Sequence, residues 1–155
     1  LDRLETSAAD ATKTFINHCE TSPTLTGNDR ATCTVGTEAL VMSTLLPSQR
    51  AYRSVDEGGG ASHQYRIEVD TTPGTAQSYI LNVLQAMDAS GTALSPTVND
   101  TGSAFEVTLD GSTSITLQKG MTSTGGSITQ SATTTDFRTS VQTMSVTLDG
   151  PVWAP

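Results

Sequence analysis

Between Gln64 and Asp88 the chain carries its clearest pattern. Tyr65, Ile67 and Val69 alternate with Arg66, Glu68 and Asp70. That period of two marks a strand with one buried face and one wet face. A Thr-Thr-Pro-Gly turn follows, and then a run from Ser78 to Asp88 that is apolar at nearly every position from Tyr79 to Leu84. Such a run reads as a strand covered on both faces. Asn82 and Gln85 are its polar interruptions, and each needs a hydrogen-bond partner if buried. The pattern predicts that the two strands lie side by side, Arg66–Val69 against Ile80–Gln85, with the other strands built around them.

The remaining chain gives further strands. Leu1–Glu5 reads as the end of a strand that starts upstream, and Ala11–His18 as a second strand. A helix over Asp2–Phe15 competes, because Leu1, Leu4 and Ala8 have helical spacing, but Thr12 and Thr14 favour the strand. Glu38–Leu46 is strongly apolar and stops at Pro47, which cannot continue a ladder. Ala51–Val55 is a short strand before the glycine-rich loop from Asp56 to Ser62. Ala104–Leu109 and Ser114–Gln118 flank Asp110-Gly111, a hairpin turn signal. Gly120–Thr135 reads as a long Ser-, Thr- and Gly-rich loop with a short strand near Ile128. Val141–Leu148 closes the set, its core side drawn from Val141, Thr143 or Met144, Val146 and Leu148. Roughly eight to ten short strands at this spacing predict a single all-β domain over residues 1–155, an antiparallel β-sandwich.

Composition supports this reading and narrows the partners. Hydrophobic residues make up 35% of the chain, and Thr, Ser and Gly fill much of the rest, favouring strands and turns. Sixteen acidic residues against 8 basic ones give a net charge of -8, which repels a phosphate backbone and argues against nucleic acid. Anionic membrane surfaces are disfavoured for the same reason, and no apolar run reaches the roughly 20 residues of a membrane helix. The start at Leu1 without Met suggests a processed or excised product, part of a larger protein. Scarce Lys and abundant Thr give the composition of a secreted or periplasmic protein.

Cys19 and Cys33 flank a Pro-, Gly-, Asn- and Thr-rich segment, Glu20–Thr32, read as a loop. A disulfide closing it contributes roughly 3 kcal/mol in the chain-entropy model and implies an extracytoplasmic compartment. Two buried free thiols are the alternative. A metal pair lacks the usual ligand spacing.

Six segments in order resemble the C-terminal β-sandwich of heparinase II/III-like polysaccharide lyases. Asp2-Arg3-Leu4 is similar to the family's Asp-Arg-Val. Lys13-Thr-Phe-Ile-Asn-His18 is similar to its Lys-x-Trp-x-x-His strand, with Phe15 in place of Trp. Ser43-Thr-Leu-Leu-Pro47 resembles its Thr-Leu-Leu-Pro strand end, and Val55-Asp-Glu-Gly-Gly-Gly60 the glycine loop after it. Arg66-Ile-Glu-Val69 and Ile80-Leu-Asn-Val-Leu-Gln85 resemble its Trp-Arg-Val-Glu-Val and Phe-Leu-Asn-Val-Leu-Gln strands. The resemblance covers Leu1 to Asp110, while the last forty or so residues match poorly. It implies a non-catalytic module that packs against a helical catalytic domain or chain and supports a cleft for an acidic polysaccharide.

The resemblance also implies that His18 is one of three ligands to a structural zinc, beside a His and an Asp that would precede Leu1. Zinc needs three or four ligands, so His18 cannot hold one alone, and a His bonded to backbone at a strand end is the plainer reading. His63, beside the glycine loop, reads as solvated. No base, acid and carboxylate-neutralising set for lyase chemistry is assignable. No Gly-x-Ser-x-Gly, phosphate loop or EF-hand spacing is present. Asn99-Asp100-Thr101 fits a glycosylation acceptor, with a turn as the stronger reading. As a free-standing carbohydrate-binding module the chain would use exposed aromatics, with Trp153 and Tyr52 as the candidates. Trp153 also reads as a plug over a sandwich edge. A third reading is a structural subunit of a self-assembling filament, accepting a strand from a neighbour.

Overall fold

The structure, a computed structural model, describes residues 1–58, 64–72, 74–122 and 125–137. Those residues form thirteen strands in antiparallel pairs and no helix, more strands than the hydrophobic pattern alone delimits. The first two sheets make a sandwich. One has five strands in the order β1 (Asp2–Glu5), β8 (Gln77–Asp88), β5 (Glu38–Leu46), β4 (Arg30–Val35) and β3 (Thr24–Thr26). The other has three, β2 (Thr14–Cys19), β7 (Tyr65–Thr71) and β6 (Arg50–Asp56). Ala31, Cys33 and Met42 from the first meet Cys19, Ile67 and Val69 from the second, with Phe15, Leu25, Leu40, Tyr52 and Tyr65 packed around them. The Cys19–Cys33 disulfide ties β2 to β4 across this core, with a Cα–Cα distance of 5.8 Å.

The strands expected to be neighbours belong to different sheets. β7 pairs with β2 and β6, while β8 pairs with β1 and β5. The connection between them is held by the N-terminal segment rather than folded as a tight hairpin. Gly74 N–H donates to Ala9 O at 2.8 Å, and Lys13 Nζ donates to Thr75 O at 2.7 Å. These bonds stabilise a crossing between layers where a two-residue turn would have kept the strands paired. β8 is also not covered throughout. Ile80 is 0% exposed but Leu84 is 56% exposed. Gln77–Ile80 pair with β1 and Leu81–Asp88 pair with β5. The β1-side edge of β8 beyond Ile80 therefore has no strand beside it among the described residues.

Glu20–Thr32 is not simply a loop. β3 and the start of β4 form a hairpin within it, turning at Gly27, whose φ of +61° suits glycine. β2 starts at Thr14 rather than Ala11.

A third sheet has the order β13 (Thr133–Phe137), β12 (Gly126–Gln130), β11 (Thr113–Gln118), β10 (Ala104–Thr108) and β9 (Thr97–Asp100). The Asp110-Gly111 turn is present, with Asp110 Oδ1 accepting from Ser112 N and Thr113 N at 2.7 Å each. Two expectations fail here. Asn99 and Asp100 lie in β9, and the turn begins at Thr101. The short strand expected near Ile128 is β12, but Gly120–Thr135 is not one long loop, because β12 and β13 extend the sheet. Their hairpin turns at Ser131 and Ala132, both with positive φ (47° and 68°). Turns of that hand normally carry Asn or Gly, so the sequence offers no signal for one. Gly126 is required where it stands, since a Cβ there would lie 1.9 Å from Thr116 O.

The third sheet is moored to the first through β1 and β8. Arg3 Nε donates to Gly120 O at 2.8 Å and Arg3 Nη2 to Gln118 O at 2.7 Å. Gly120 N–H donates to the Tyr79 hydroxyl at 3.0 Å. The Tyr79 and Phe105 rings meet edge to face with centroids 5.0 Å apart, a favoured aromatic geometry. Val141–Leu148, His63 and Trp153 lie outside the described residues.

Candidate functional site

His18 lies on the outer face of the three-stranded sheet. Alternation along β2 and β7 puts Thr14, Ile16 and His18 on the same side as Arg66, Glu68 and Asp70. Arg53 of β6 joins this face and forms ion pairs with Glu68 and Asp70. Arg66 bridges Glu57 and Glu68. His18 Nε2 stands 3.2 Å from Glu57 Oε2. Glu68 is only 5% exposed, which is possible for a carboxylate because both arginines cover it. The face carries a network of opposite charges.

For zinc the fit is incomplete. His18 and Glu57 bring two donors together, and Glu57 is already engaged by Arg66. No group of three or more His, Cys, Asp or Glu side chains suited to a metal ion occurs among the described residues. These residues do not make a zinc site by themselves, and the missing ligands would have to come from outside them.

The other polar residues of the resembling segments hold the sandwich together. Lys13 is buried, its ammonium bonded to Thr75 O. Thr44 Oγ1 donates to Asn82 Oδ1 at 2.7 Å. Gln85 Oε1 accepts from Leu94 N at 2.8 Å, fixing the segment after β8 against the sheet. Arg3 moors the third sheet, as described above. Tyr52 is half-buried in the packing between the sheets, and its hydroxyl lies 3.4 Å from Thr44 Oγ1. Burial pushes the Tyr52 phenol up from its ordinary pKa, partly opposed by the Thr44 hydrogen bond.

A cleft of about 460 Å3 opens where the five-stranded sheet meets the third sheet. Leu46, Pro47, Tyr79 and Phe105 form its apolar part, and Asp100 and Lys119 stand together in its wall. Lys119 Nζ is 2.5 Å from Asp100 Oδ2 and 5.1 Å from the Phe105 ring centroid. The hydrogen bond from Lys119, with another from Gly102 N–H, holds the Asp100 carboxyl below the usual carboxylate range. The sequence gives little warning of this cleft. Asp100 and Lys119 are 19 residues apart and meet only because β9 and β11 flank β10. The one signal is scarcity: Lys13 and Lys119 are the chain's two lysines, and each has a specific partner.

No family model, curated protein or solved structure matches this chain. The likeness to heparinase II/III-type sandwiches stands on the six ordered segments alone.

Proposed function

We propose that this chain is the non-catalytic β-sandwich module of a secreted or periplasmic polysaccharide lyase of heparinase II/III type. It packs against a helical catalytic part and supports the cleft that receives an acidic polysaccharide. One observation carries the reading: the polar residues of the resembling segments are engaged in holding the sandwich together. Lys13, Thr44, Asn82 and Gln85 each bond inside the module, and Arg3 and Arg66 are tied to carbonyls or carboxylates. The placing of Arg66–Val69 and Ile80–Gln85 counts against the reading, which expects them side by side, since the two strands lie in different sheets. His18 would contribute to zinc only with ligands supplied by the parent protein.

The test is to isolate the protein from its source and assay elimination on uronate polysaccharides by the absorbance of the unsaturated product. The expected result is activity in a larger species containing this chain and none in residues 1–155 alone. Unsaturated product from the 155-residue chain, or none from the parent on any uronate polymer, sinks the proposal.

Self-assembly is the competing reading. The edge of β8 over Leu81–Asp88, which has no strand beside it on the β1 side among the described residues, favours it, with exposed Leu84 at its centre, because an uncovered edge can accept a strand from a neighbour.

A further inference from the structure

We propose that the cleft between the five-stranded sheet and the third sheet binds a neutral sugar unit of a glycan. The inference does not depend on the lyase reading, which assigns this cleft nothing.

Size and composition come first. At about 460 Å3 the cleft falls within the roughly 300–1,000 Å3 of small-molecule sites. It has two chemically distinct parts. Leu46, Pro47 and Tyr79 supply an apolar surface, with the buried Phe105 ring behind it. Around it stand Ser48, Gln49, Thr72, Gln77 and Ser78. A pyranose ring presents the matching pair of surfaces, an apolar face of C–H groups and a rim of hydroxyls. The Ser48, Gln49 and Thr72 side chains make no hydrogen bond to another described residue. Their donors and acceptors are available at the mouth of the cleft.

Charge decides which sugars fit. Lys119 is the one cation lining the cleft among the described residues, and its charge is matched by Asp100 at 2.5 Å. The wall is therefore neutral as a unit. An anionic sugar would have to displace Asp100 from Lys119 and approach a chain of net charge -8, both against Coulomb's law. A neutral vicinal diol meets no such cost. Its hydroxyls donate to the Asp100 carboxylate and accept from the Lys119 ammonium, and charge-assisted hydrogen bonds of this kind are stronger than neutral ones.

The architecture holds this pair in place before any ligand arrives. Asp100 Oδ1 accepts from Gly102 N at 2.8 Å, and Lys119 N–H donates to Ser103 O at 2.9 Å. Arg3 and Tyr79 fix Gly120, the residue next to Lys119. A preorganised site loses less ordering entropy on binding.

The experiment is a backbone-amide NMR titration of the 155-residue chain with gluco-, manno- and xylo-oligosaccharides, and separately with oligogalacturonate. At least one neutral series should give saturable shifts centred on Thr72, Gln77 and Gly120, with a Kd of about 1 mM. Asp100→Asn should weaken binding about five-fold or more, a change worth about 1 kcal/mol. Thr72→Trp, which fills the mouth, should abolish it, with both variants keeping the parent spectrum away from the cleft. No saturable shift with any neutral series overturns the proposal. So do shifts centred elsewhere, tighter binding of the uronate series, or an Asp100→Asn variant that binds unchanged. Loss of elimination activity in the parent protein is a separate result and touches only the lyase reading.

Discussion

Thr44 and Asn82 face each other across β5 and β8 and share a 2.7 Å hydrogen bond. Thr44 is 1% exposed, and the Asn82 Nδ2 atom is buried without a hydrogen-bond partner. The amide is therefore half satisfied, and the hydroxyl is what keeps its oxygen paired. Thr44→Val should destabilise the fold by about 1–3 kcal/mol, because it leaves both ends of a buried amide unpaired. Adding Asn82→Leu should recover much of that loss. Urea unfolding of the two single variants and the double variant measures it, and additive losses would show that the pair is not coupled.

Cys19→Ser with Cys33→Ser should lower stability by roughly 2–4 kcal/mol. The bridge joins two sheets rather than neighbouring strands, so its loss should loosen the packing of Ile67 and Val69 against Met42. Urea midpoints with and without reductant give the first number. Amide exchange along β7 gives the second, and unchanged exchange there would place the effect in the unfolded chain alone.

Acid should weaken the third sheet first. Ser112 and Thr113 N–H groups bond to Asp110 and hold its carboxyl below the ordinary range. Lys119 and Gly102 do the same for Asp100. A carboxylate with a depressed folded pKa contributes stability above the unfolded value, near 3.9. That contribution is lost as pH falls through the folded value. Melting temperature should therefore decline from roughly pH 4 downward. Asp110→Ala should lower the plateau above that pH and flatten the decline below it. An identical slope in the variant would remove Asp110 from the account.

Leu84→Lys should leave monomer stability within about 0.5 kcal/mol, since the side chain is mostly in water. A lysine on an open edge disfavours strand addition. If β8 is where copies meet, sedimentation should show less association for the variant than for the parent chain. Equal association would place self-assembly elsewhere.

Local pattern made the all-β class, the strand over Tyr65–Thr71 and the Asp110-Gly111 hairpin readable before any coordinates. Alternation is a property of single strands, and so it could not report pairing. β7 and β8 both show an apolar face, and nothing within them says whether those faces lie in one sheet or in two. The answer depends on Lys13 and Ala9, some 60 residues earlier in the chain. β12 was legible only as a short strand near Ile128, and β13 was hidden for a different reason. Their Thr- and Ser-rich sequence resembles a loop, and their turn uses Ser131 and Ala132 in conformations that give no compositional mark. His18 was legible as a residue of interest, but its partner Glu57 was not. The cleft was least legible of all, because its wall joins residues from four separate stretches.

Arg3 has its own consequence in time. Its two hydrogen-bond acceptors, Gln118 O and Gly120 O, lie 115 and 117 residues downstream. During synthesis the first strand emerges early and waits until most of the domain exists before that guanidinium has its partners. A bulky tag or an upstream domain placed directly before Leu1 would therefore bear on the mooring of the third sheet as well as on the β1–β8 pairing.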